Sequence, residues 1–78
     1  MNVYFVTSSK KRILLAKTNT PQEVGKIIYN FLKNKGYESF YSRWWKEKGV
    51  YVCDFGSYSE FFEVTDFDAA FENYIMGR

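Results

Sequence analysis

Asp54, Glu60, Glu63 and Asp66 are the side chains of this chain best spaced for acid–base or cation chemistry, and Cys53 is its one thiol. Asp54 with Glu60, or Glu63 with Asp66, could share a proton or hold a divalent ion. Their spacing is not that of a calcium loop. Solvated acids along a strand and at a helix start explain them more simply. Cys53 sits between Val52 and Asp54 in a β-rich run. A neighbouring carboxylate disfavours the thiolate, which is the nucleophilic form, so Cys53 reads as a small buried hydrophobe. The chain has no His. That removes the commonest general base and every Ser–His–Asp or Cys–His arrangement. Gly25, Gly36, Gly49, Gly56 and Gly77 fit neither a phosphate-binding loop nor a dinucleotide fingerprint. A single Cys without His builds no intrachain disulfide and no Cys/His zinc site. The expectation is a non-enzymatic protein with no catalytic residue, metal or cofactor.

Binding chemistry is better represented. Residues 1–49 carry ten Lys/Arg against three acids, a balance of +7, and residues 50–78 carry six acids against Arg78, a balance of −5. Two electrostatic poles of this kind steer encounters with charged partners. In the basic half, Lys10, Lys11 and Arg12 read as a loop tip, and Arg43, Trp45 and Lys46 cluster around a second turn. Cations that follow phosphates, mixed with rings that stack on bases, suit single-stranded nucleic acid. A core Trp44 beside an exposed Trp45 lying over a Lys stem is the plainer account, and no RRM, KH or cold-shock pattern is present. In the acidic half, Glu60, Glu63, Asp66, Asp68 and Glu72 follow one another without an intervening base, with Asp54 and Tyr58 just ahead. Such a surface could meet a basic patch on a nucleic-acid enzyme, in the place of phosphates, or the basic half of a second copy in a homodimer. Helix-dipole stabilisation accounts for Asp66 and Asp68, but not for Glu60 and Glu63.

The elements that must carry these residues are legible. Val3–Thr7 and Ile13–Ala16 flank a polar, basic stretch and predict a hairpin. Thr20-Pro21-Gln22-Glu23 is a capping box with Pro at the first helical position. Val24, Ile27, Ile28, Phe31 and Leu32 then recur at helical spacing, so a helix is expected over 21–35, with Gly36 ending it. Tyr37–Trp45 alternates in part and leads through a turn at Lys46–Gly49 into a strand, Val50–Phe55. After Gly56-Ser57 comes another strand, Tyr58–Val64. The three predict an antiparallel meander. Thr65-Asp66-Phe67-Asp68 offers a second capping box or an Asp-led N-cap to a second helix, about 66–76, with Phe67, Ala70, Phe71, Tyr74 and Ile75 on its apolar stripe. The expected fold is one α+β domain over residues 1–78. It is a two-layer sandwich of about five antiparallel strands and two helices, in the order β-β-α-β-β-β-α.

Aromatic residues make up 22% of the chain, eight Phe and seven Tyr with Trp44 and Trp45, more than one small core comfortably encloses. Some must reach the surface, where rings commonly mark contact sites. No apolar run approaches the ~18 residues of a membrane span. With no basic-then-apolar leader and one Cys, the expectation is a cytoplasmic protein that does not enter the membrane.

Asp54-Phe55-Gly56-Ser57-Tyr58-Ser59-Glu60-Phe61-Phe62 resembles the C-terminal segment of small phage and prophage accessory proteins of Gram-positive hosts. In these, a strand ending Asp-aromatic-Gly-Ser runs into an aromatic-rich strand. The likeness spans residues 44–64. It implies a phage-encoded inhibitor of a host defence or nucleic-acid-processing protein, such as a CRISPR nuclease. The acidic and aromatic residues Asp54, Tyr58, Glu60, Glu63, Asp66, Asp68 and Glu72 are then the expected contact. The alternative is a single-strand nucleic-acid binder using Lys10, Lys11, Arg12, Arg43, Trp45 and Lys46.

Overall fold

The structure, a computed structural model, describes residues 1–77. Its elements are β1 (Asn2–Val6), β2 (Arg12–Lys17), α1 (Pro21–Asn34), β3 (Arg43–Glu47), β4 (Val50–Asp54), β5 (Phe61–Thr65) and α2 (Ala69–Met76). The α+β class and the β-β-α-β-β-β-α order are those read from the sequence. All five strands join one antiparallel sheet in the order β2-β1-β5-β4-β3. The meander β3-β4-β5 is as expected. The N-terminal hairpin joins it through β1 against β5, with Val3 opposite Val64 and Phe5 opposite Phe62.

Both helices cover the same face of this sheet. From α1, Val24, Ile28 and Leu32 are buried against Phe5, Phe62 and Val64, and from α2 Phe71 is buried with Tyr51 and Cys53. Ring packing fixes the two docking sites. Phe31 of α1 lies 4.7 Å from Phe5, and Phe71 of α2 meets Trp44 edge-on at 5.6 Å. One helix therefore sits over the β1–β5 half of the sheet and the other over β3–β4.

Local chemistry sets the element ends. The Glu23 amide donates to Thr20 Oγ1 at 3.3 Å, and Glu23 Oε1 accepts from the Thr20 amide at 3.0 Å, which completes the capping box. The Asn19 amide, then the Thr20 hydroxyl, hold the Glu23 carboxyl below its ordinary pKa. At the other end, the Tyr37 amide donates to the Leu32 carbonyl and the Gly36 amide to that of Lys33. With Gly36 at φ +98°, this is the paired bonding of a Schellman stop. Between β3 and β4 the turn is only Lys48-Gly49, at φ +51° and +78°, and both values suit a primed hairpin turn.

Three expected spans are shorter in the structure by more than one residue. The run from Tyr37 becomes strand only at Arg43, because its partner β4 ends at Asp54 and Gly56, at φ +99°, turns the chain away. Tyr58–Glu60 is not strand either. Ser57 Oγ accepts from the amides of Ser59 and Glu60, and this local turn holds the backbone off the sheet. The second helix starts at Ala69 rather than near 66, because Asp66 is left-handed at φ +53° and Asp68 is the cap, its Oδ1 accepting from the Phe71 amide at 2.9 Å. With the helix shortened, Phe71 is buried, but Ala70 and Tyr74 of the expected stripe are exposed.

Candidate interaction surface

A sheet covered on one side leaves its other side to solvent or to a partner. Side chains alternate across a strand, so the register assigns the residues of the helix-free face. One row runs Leu14, Tyr4, Glu63, Val52, Trp45 from edge to edge. Neighbouring rows bring Arg12 opposite Val6, Val6 opposite Phe61, and Arg43 opposite Asp54. Val6 and Val52 are buried yet stand outside the core cluster beneath the helices. They form a thin second apolar layer under the larger side chains of this face. Leu14 is 47% exposed and Trp45 39%.

Cations organise the rings. The Arg12 guanidinium lies 4.3 Å from the Tyr4 ring centre, and its Nε is 2.9 Å from Glu63 Oε1. Arg43 lies over Trp45 at 5.8 Å and pairs with Asp54 Oδ2 at 2.9 Å. Lys10 lies 5.5 Å from the Phe61 ring. Trp45 Nε1 donates to Glu47 Oε2 at 3.4 Å. Of the basic set, Lys10, Arg12, Arg43 and Trp45 are thus gathered on one face. Lys46 is on the opposite face, where its Nζ meets Glu72 Oε2 at 3.4 Å, and Lys11 is in the β1–β2 turn.

The acidic set is divided. Asp54 and Glu63 belong to the helix-free face, each held by an arginine. Tyr58, fully exposed, and Glu60 lie in the β4–β5 connection, at the end of the sheet that also carries the β1–β2 turn. Asp66 follows β5 at the opposite end, where its Oδ2 accepts from Asn2 Nδ2 at 3.2 Å. Asp68 is engaged in capping α2. Glu72 accepts from the Tyr51 hydroxyl at 3.2 Å on the helix-covered side. Members of both candidate sets meet twice on the helix-free face, as Arg12 with Glu63 and Arg43 with Asp54, and once on the covered side, as Lys46 with Glu72. Tyr4, Leu14 and Phe61 complete that face and were missed in the sequence, because apolar runs such as Val3–Val6 give no alternation to tell one side from the other.

Cys53 lies on the helix side, fully buried. Burial first, then the Asp54 carboxylate, pushes its thiol up to about 12. Among the described residues no three His, Cys, Asp or Glu side chains come together as a metal site, and no helix is long and apolar enough to cross a membrane. No family model, curated protein or solved structure matches the chain.

Proposed function

We propose that this protein is a non-enzymatic interaction module whose helix-free sheet face binds another protein. The observation that carries the reading is a face rich in Tyr, Trp, Phe and Arg, the residue types enriched where proteins meet, with both arginines already held in place by acids. Pre-ordered side chains lose little entropy on association. Charges balance across the face, so the partner surface it suits is apolar at the centre and mixed in charge at the rim. The likeness of Asp54–Phe62 to phage accessory proteins makes a host defence or nucleic-acid-processing protein the partner we favour. Asp54, Glu63 and, at the rim, Tyr58 and Glu60 are then its acidic and aromatic contacts.

A single-strand nucleic-acid platform is the second reading, favoured by Tyr4, Phe61 and Trp45 sharing a face with Lys10, Arg12 and Arg43. It is the weaker one because Glu63 and Asp54 occupy the guanidiniums that phosphates would need and repel phosphates themselves. Affinity capture from a host lysate, followed by titration of the recovered protein against wild type, Leu14→Glu and Trp45→Ser, separates the two readings. The expected result is a loss of about ten-fold or more for each variant, with unchanged urea unfolding midpoints. Equal affinity for both variants overturns the assignment of this face. Salt-sensitive binding of short single-stranded DNA or RNA at tens of micromolar protein, seen by fluorescence anisotropy, transfers the face to nucleic acid.

A further inference from the structure

The two helices sit apart on the covered face of the sheet, and a cleft of about 230 Å³ opens between them. Ile28 and Tyr29 of α1, Tyr74 of α2 and Trp44 of β3 wall it, and Cys53 lies at its floor. No described residue lining it carries a charge, although charged residues are 26% of the chain. The Cys53 thiol is neutral at physiological pH, so the floor is uncharged as well.

Gly25 opens onto this cleft from the second turn of α1. Glycine inside a helix costs roughly 0.5–1 kcal/mol against alanine. Close packing does not require it, since a Cβ there would meet nothing within 4 Å. Its φ is not in the left-handed region, so backbone conformation does not require it either. What the missing side chain does is leave the cleft mouth open.

Size and wall chemistry select the occupant. The volume is below the roughly 300 Å³ at which pockets for drug-sized molecules begin, and above the roughly 150 Å³ of a cavity that takes one benzene. Five aromatic residues, Tyr29, Phe40, Trp44, Phe71 and Tyr74, line it. Ring edges set at an angle favour another ring in edge-to-face contact. The hydroxyls of Ser42, Tyr29 and Tyr74 offer a polar partner to one end of a ligand. We propose that the cleft between α1 and α2 is a binding site for a small uncharged aromatic molecule of one ring system carrying one polar group. It lies on the opposite side of the sheet from the interaction surface and stands independently of that assignment.

Titration of the full chain with p-cresol, followed by ¹H–¹⁵N correlation spectra, tests it. Saturable shifts are expected at α1, α2 and Trp44, with no matching shifts at Tyr4, Leu14 or Phe61. Benzoate, a similar ring with a negative charge, should bind at least about ten-fold more weakly. Gly25→Leu, which closes the mouth from an open position on the helix, should weaken p-cresol binding by about ten-fold or more, and Gly25→Ala should change it less. Absence of saturable shifts at millimolar p-cresol overturns the site. So do equal affinity for benzoate, shifts centred on the helix-free face, and a Gly25→Leu variant that is folded and binds as well as wild type.

Discussion

Cys53 illustrates how much a single residue's role depends on what surrounds it. Adjacent Asp54 already argued from the sequence against a reactive thiol, and burial between Trp44 and Phe62 strengthens the case. Its folded value of about 12 stands above the ordinary 9.0. Below pH 9.0 both folded and unfolded chains keep the proton, and Cys53 adds no pH dependence. Above it the unfolded chain releases the proton while the folded one holds it. Stability therefore falls from pH 9.0 towards 12, by roughly 1.4 kcal/mol per pH unit from this group. Urea unfolding between pH 9 and 10.5 should show wild type losing stability more steeply than Cys53→Ala, by about 1 kcal/mol per unit. Parallel slopes would remove the raised thiol.

At the scale of elements, α1 was the most legible part of the chain, because both of its ends are written in local chemistry. Thr20, Pro21 and Glu23 start it and Gly36 stops it, and neither end needs a distant partner. The stretches around Gly56 were less legible. Tyr37–Ser42 and Tyr58–Glu60 are rich in aromatic and polar residues that also suit strands, but a strand exists only where a neighbour supplies hydrogen bonds. Gly56 is decisive here. Its φ of +99° ends β4, its amide donates to Asp54 Oδ1 at 2.9 Å, and a Cβ on it would stand 3.3 Å from the Tyr41 ring. Gly56→Ala should therefore destabilise the protein by about 1–2 kcal/mol, measured by urea unfolding. A neutral substitution would mean that the left-handed turn is not needed.

Across the whole molecule, folding brings the two oppositely charged halves of the sequence into contact. The three ion pairs among the described residues, Arg12 with Glu63, Arg43 with Asp54 and Lys46 with Glu72, each join a base of the first half to an acid of the second. The antiparallel sheet brings the first two about by placing β1, with β2 at its outer side, next to β5 and β3 next to β4, and the third joins β3 to α2. These pairs are partly exposed, so each contributes modestly. A double-mutant cycle on Arg12→Ala and Glu63→Ala should give a coupling of about 0.5–1 kcal/mol, reduced in 1 M salt. No coupling at low salt would leave Arg12 held by Tyr4 alone. On the proposed reading the two arginine pairs serve recognition more than stability, since they hold guanidiniums by Tyr4 and Trp45 and oppose the charge that nucleic acid would seek.

What the sequence determined by itself is what neighbours along the chain decide: the helix caps, the turn glycines, the element order, the unreactive setting of Cys53 and an aromatic content too large for one core. Only the tertiary structure decided which face those aromatics occupy and which charges remain unopposed. Strand order sets both, and it depends on contacts between residues tens of positions apart, such as Val3 with Val64. Local propensity carries no record of such pairs. A +7 half and a −5 half meet in three ion pairs, because the fold sets strands of the first half on both sides of β5 and β4.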